Sequence, residues 1–128
     1  MIVRLAILLG LIGSVSSAEE IAGWKVGLAA ATITPKEPVF MAGYASRDHP
    51  YDGVAADLHA KALALVDQEG NRAILITTDV IGFSAEIAEP ICDRILEETD
   101  LERADILICA SHTHTGPSLT LSVAPTGK

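Results

Sequence analysis

Apolar and polar positions along the chain fall into blocks with different periods. Residues 24–33 are small and apolar around Val26 and Leu28, and Thr34-Pro35 ends the run, which predicts a strand. Residues 58–66 alternate Leu58, Ala60, Ala62, Ala64 and Val66 against His59, Lys61, Leu63 and Leu65, a strand whose second half is apolar on both faces. Asp67-Gln68-Glu69-Gly70-Asn71 supplies a hairpin turn, with Gly70 or Asn71 available for positive φ. Ala73 to Thr77 is an unbroken apolar run, as expected of a strand buried on both faces. The period then changes. Ile87, Ile91 and Ile95 recur every four residues with Ala88, Cys92 and Leu96 beside them, one stripe of a helix with Ser84 as candidate N-cap. Pro90 removes one helical donor, so the helix either kinks there or begins near Glu89 with Pro90 at its first position. Asp105 to Ala110 is a second buried strand. Strand, helix and strand over 73–110 make a βαβ unit with parallel pairing and a right-handed crossover. The 58–77 hairpin adds an antiparallel pair, so the predicted class is α/β with a mixed sheet.

Residues 35–57 carry no period. They hold Pro35, Pro38, Gly43, Pro50 and Gly53, together with Phe40, Tyr44 and Tyr51. Loops this long are functional or disordered, and the aromatic side chains favour an ordered, functional loop.

The first residues follow a different logic. Arg4, the apolar run Leu5 to Ile12, and small residues from Gly13 with Ser16 and Ala18 at −3 and −1 form a secretory signal. The apolar run is too short to span a bilayer, which needs about 20 residues. The expected division is therefore 1–18 as signal peptide and 19–128 as the exported part, secreted or periplasmic. Mass spectrometry of the exported protein should find Glu19 at its amino terminus; retention of Met1 would overturn this.

Composition narrows the function. Of 128 residues, 49% are hydrophobic, and 9 Lys and Arg stand against 17 Asp and Glu, a net charge of −8. Removing residues 1–18 takes away Arg4 and makes the balance more acidic still. Phosphate binding needs a surplus of base, so no nucleic acid partner and no strong docking on anionic membranes are expected. The two cysteines, Cys92 and Cys109, are too few for a disulfide scaffold, and their spacing decides neither pairing nor burial as small core residues.

The chemistry concentrates in Ser111-His112-Thr113-His114-Thr115-Gly116-Pro117. In an extended segment, residues two apart present both imidazoles on one face. The segment lies just past the carboxyl end of a parallel strand, where open α/β sheets bind ligands. Asp79 ends the neighbouring strand and should share that rim, either as a ligand or as a carboxylate that orients a histidine. Two histidines and a carboxylate suit zinc or another divalent ion. Hydrogen-bonded strand-end histidines without metal are the competing reading. His59 reads as an ordinary strand residue and His49, between Asp48 and Pro50, as solvated. An amidohydrolase barrel also carries His-x-His at a strand end. A metallo-β-lactamase would need His-x-His-x-Asp-His, which Thr115, Gly116 and Pro117 exclude.

Five segments in order carry a resemblance: Lys25-Val26-Gly27 leading to Thr32-Ile33-Thr34-Pro35, Met41-Ala42-Gly43-Tyr44-Ala45, His59-Ala60-Lys61-Ala62-Leu63-Ala64-Leu65, Thr78-Asp79, and Ser111 to Pro117. With them the chain resembles the N-terminal part of the neutral/alkaline non-lysosomal ceramidase family. The resemblance implies a fragment of a larger α/β catalytic domain. It implies a secreted or surface zinc amidase that cleaves the N-acyl bond of ceramide to a sphingoid base and a fatty acid. It implies that His112 ligates the zinc, that His114 works beside it in catalysis, and that a further His, a Glu and a Tyr come from later in a longer chain. Asp79 is then the candidate acceptor that orients a ligand. The chain departs from the family pattern at Ala55, where a His is common after Gly53-Val54, and at His59, where an aromatic is common. The other expectation is a non-catalytic exported module or a truncated gene product.

Overall fold

The computed structural model describes residues 15–21 and 23–119, with side chains from Gly23 onward. Most of the expected signal, residues 1–14, and residues 120–128 lie outside the described residues. Five strands form one sheet in chain order: β1 (Val15–Ile21), β2 (Trp24–Thr32), β3 (His59–Val66), β4 (Arg72–Thr78) and β5 (Ile106–Ala110). The first four pair antiparallel in succession, and β4 pairs with β5 in parallel. The sheet is therefore mixed, as the sequence predicts. Helix α1 (Ala85–Glu98) and a short 3-10 turn (Arg103–Asp105) form the crossover between β4 and β5. No helix among the described residues is long and apolar enough to cross a membrane.

Strand β1 crosses the expected cleavage point. Cleavage after Ala18 would leave the pairs Glu19↔Val26, Glu20↔Lys25 and Ile21↔Trp24 on the edge of the sheet.

The β3–β4 hairpin turns on Gly70 at φ 88°, where the Asp67 backbone carbonyl accepts from Gly70 and the Asp67 carboxylate accepts from both Asn71 nitrogens. Those bonds hold the Asp67 carboxyl below its ordinary range. At the same end of β4, Arg72 pairs with Asp100 just past α1 and likewise lowers the Asp100 carboxyl.

Pro90 lies inside α1. The helix begins at Ala85, with Ile87 and Ala88 amides bonded to the Ser84 carbonyl, so the start near Glu89 is excluded. Ser84 occupies the N-cap position without a side-chain cap bond. The proline removes one donor of the i→i−4 ladder on an exposed stretch, where water can serve the orphaned carbonyl.

The two faces of the sheet differ. Side chains alternate along strands, so cross-strand partners share a face. One face carries Gly27, Ala64, Ile74 and Ile106, and next to them Ala29, Ala62, Ile76 and Ile108. Here α1 packs: Ala88 and Cys92 line one cavity with Ile106 and Ile108, and Cys92 is 1% exposed. The opposite face carries a row of four leucines, Leu28, Leu63, Leu75 and Leu107, one from each of β2 to β5. No described element covers it, and Leu28 and Leu107 stay 54% and 61% exposed. The strands expected to be buried on both sides are thus covered on one. A leucine fully removed from water contributes about 1.5–3 kcal/mol, and more than half of that is unrealised at Leu28 and Leu107, the two ends of the row. Cys109 belongs to the open face and Cys92 to the covered one, and both are free thiols.

Candidate active site

The ladder continues one residue past β5, where the Ser111 amide donates to the Thr78 carbonyl at 2.9 Å. The chain then leaves extended geometry, because His112 sits at φ 58°. Thr113 and Thr115 close a local turn: their hydroxyls are 2.7 Å apart and the Thr115 amide donates to the Thr113 hydroxyl at 3.1 Å. Residues two apart share a face only in an extended segment, which this one is not. The rings do come together, with centroids 5.4 Å apart and planes tilted by 56°, but through this turn. The left-handed conformation is uncommon for a residue other than glycine, and such outliers gather at functional sites.

The long loop supplies the other wall. Met41 pairs with Pro117 in an isolated antiparallel bridge, the Ala42 amide donates to the Gly116 carbonyl at 2.9 Å, and the Ser118 amide to the Phe40 carbonyl at 2.8 Å. The loop is tied internally as well. Tyr51 donates to the Pro35 carbonyl, and the Thr34 hydroxyl donates to Asp57 while accepting from the Leu58 amide. It is an ordered element, as its aromatic content predicts. The Tyr44 and His114 rings meet in a T-shaped contact with centroids 5.0 Å apart and planes at 80°. Arg47 lies over the Tyr44 ring at 4.9 Å and donates through Nη1 to two carbonyls, Ala42 at 2.5 Å and His114 at 2.6 Å. Gly43 takes φ 71°, and a Cβ there would stand 2.5 Å from Cγ of His114.

Asp79 stands at the end of β4 on the same rim, but its carboxylate serves another histidine. It accepts the His59 amide at 2.9 Å, and Nδ1 of His59 lies 3.9 Å away. The Asp79 amide returns a bond to the His59 carbonyl at 3.0 Å. His59 is therefore a half-buried strand residue joined to this carboxylate. His49 is solvent-exposed between Asp48 and Asp52. Among the described residues no three His, Cys, Asp or Glu side chains gather closely enough to hold a metal ion. His112 and His114 alone would be a partial donor set, because a catalytic zinc takes three protein ligands and keeps one position open.

Between the loop and the Thr115–Pro117 backbone lies a cavity of about 300 Å³. Val39, Met41, Tyr51, Val54, Leu58 and Pro117 give it mainly carbon walls. The sequence names the histidines but not Gly43, Tyr44 and Arg47 as their neighbours. The aromatic content of the loop was the available signal for Tyr44; nothing local marks Arg47.

The family pattern for the N-terminal part of neutral/alkaline non-lysosomal ceramidases matches residues 24–124. The chain belongs to that family. It is 28% identical over 99 residues to neutral ceramidase A of Dictyostelium discoideum, covering 74% of this chain and 14% of that protein. It is 29% identical over 96 residues to neutral ceramidase 2 of Arabidopsis thaliana, covering 72% of this chain and 12% of that one. The crystal structure of neutral ceramidase from Pseudomonas aeruginosa superimposes with a TM-score of 0.69 at 23% identity, over 77% of this chain and 16% of that chain. The likeness to that structure establishes the fold. The chain spans only about a seventh of the length of these relatives.

Proposed function

We propose that residues 19–128 form the opening part of the catalytic domain of an exported zinc-dependent amide hydrolase that cleaves the N-acyl bond of ceramide-type lipids. The observation that carries this reading is the His112–His114 pair, held 5.4 Å apart at the carboxyl end of the parallel β4–β5 pair within the segment the family pattern matches. The carbon-walled cavity beside Thr115–Pro117 supports it, since a lipid amide brings apolar chains to the reacting carbon.

An amide is a weak electrophile with a poor leaving group, and bound zinc would supply carbonyl polarisation and a more acidic water. His112, exposed at the turn, is the residue that would hold the metal through a ring nitrogen. His114, in ring contact with His112 and Tyr44, would donate a hydrogen bond to the oxyanion that develops on the amide oxygen, or orient the attacking water. Asp79 is the carboxylate placed to orient a histidine on this rim, and the one it reaches is His59. The remaining ligands come from outside this segment.

The test is a zinc-replete preparation of the protein that carries the segment, given a single defined ceramide. Equimolar sphingoid base and fatty acid are expected, with loss on chelation and recovery on adding zinc. No amide cleavage under those conditions would sink the reading. Residues 19–128 alone should bind zinc weakly, turn over no ceramide and bind apolar dyes through the bare leucine row. Ceramide hydrolysis by that isolated chain would show that the described residues already complete the site.

A further inference from the structure

We propose that Arg47 is a positioning residue for this site, fixing the backbone of His114 and through it the place of the imidazole. The inference rests on the proposed amide hydrolase and adds a residue 67 positions away from the histidine. A single guanidinium nitrogen, Nη1, donates to both the Ala42 and the His114 carbonyls. The guanidinium also lies over the Tyr44 ring, which meets the His114 ring in a T-shaped contact. The arginine thus grips the histidine twice, once through its carbonyl and once through the tyrosine. The Arg47 amide itself donates to the Tyr44 carbonyl at 3.0 Å, which closes the turn that aims the side chain.

The chemistry favours arginine over lysine here. A guanidinium is planar and permanently charged, so it can hydrogen-bond along its edge while stacking by its face. Bonds from a charged donor are about twice as strong as neutral ones. An ammonium at the same place is a point charge without the planar fork, so it would hold the two carbonyls and the ring less rigidly. Neither carbonyl is a reacting group, so Arg47 acts through His114 and not on substrate.

Arg47→Ala and Arg47→Lys are compared with wild type in the zinc-replete protein that carries this segment. Misplacing a catalytic group by an ångström lowers rate by up to about 10²-fold, so Arg47→Ala should lose about 10–10² in kcat. KM should move by less than about threefold, because uniform binding is untouched. Zinc content should not change. Millimolar methylguanidinium should restore part of kcat to Arg47→Ala, and tetramethylammonium should not. Arg47→Lys should stay well below wild type. Wild-type kcat in a folded Arg47→Ala, or a rise confined to KM, would overturn the proposal. If Arg47→Ala does not fold, wild-type kcat in Arg47→Lys overturns it equally. Should the wild-type protein cleave no ceramide, the proposed reaction fails and the clamp is judged by NMR. The His114 Cε1–Hε1 resonance should then be single in wild type and split or broadened in both variants. An unmoved resonance would overturn the clamp.

Discussion

His112→Ala should remove both the zinc and the activity of the protein that carries this segment, whereas His114→Ala should keep the zinc and lose about 10²–10³ in kcat. The asymmetry follows from where the two rings sit. His112 is exposed at the apex of the turn, where its ring is open to an ion shared with ligands from elsewhere. His114 is half-buried, in T-shaped ring contact with Tyr44 and anchored by its carbonyl to Arg47. A ring held in place on several sides suits a hydrogen-bond donor, since transition-state stabilisation needs a preset direction. Metal analysis and kcat on both variants decide it. Zinc lost from His114→Ala and retained in His112→Ala would exchange the two roles. Zinc unchanged in both would place the metal elsewhere.

The parts of this fold that were legible in the sequence are those set by local periodicity. The alternation through Ala60, Ala62 and Ala64, the hairpin glycine at Gly70 and the four-residue spacing of Ile87, Ile91 and Ile95 each report a local geometry, and β3, β4 and α1 follow them. The apolar runs of β4 and β5 were less informative. Ile on one face and Leu on the other say that both faces want cover, not that this stretch of chain provides it. Leu75 and Leu107 read as core and lie on the open side. The open row is what a sheet shows when α1 lies on only one of its faces.

At the site, spacing brought out His112 and His114 because two residues of one type two apart are visible in any string. The partner of Asp79 was less accessible. Asp79 lies opposite the start of β3, and only the β3–β4 register puts the His59 amide beside its carboxylate. The loop contacts were not accessible at all. Arg47 meets His114 because Ala42 and Ser118 hydrogen-bond across to Gly116 and Phe40, an antiparallel stitch between irregular segments with no period to announce it.

That stitch makes Gly43 the most sensitive position of the loop. Its φ of 71° strains any residue with a Cβ, at a cost of about 1–2 kcal/mol. The added carbon would also stand 2.5 Å from Cγ and 2.6 Å from Nδ1 of His114, whereas carbon atoms pack comfortably at about 3.5–4.0 Å. The backbone of His114 cannot yield, because Arg47 holds its carbonyl, so the imidazole must rotate or shift by about an ångström. A shift of that size lowers rate by about 10²-fold. Gly43→Ala should therefore lose about 10² in kcat and also lower the melting temperature, with zinc retained through His112. Gly82→Ala is the matched control, since its backbone is not left-handed and nothing lies within 4 Å of the added carbon. It should leave both kcat and melting temperature unchanged. If Gly43→Ala keeps wild-type kcat while melting lower, the glycine serves only the turn, and the loop does not set the position of the His114 ring.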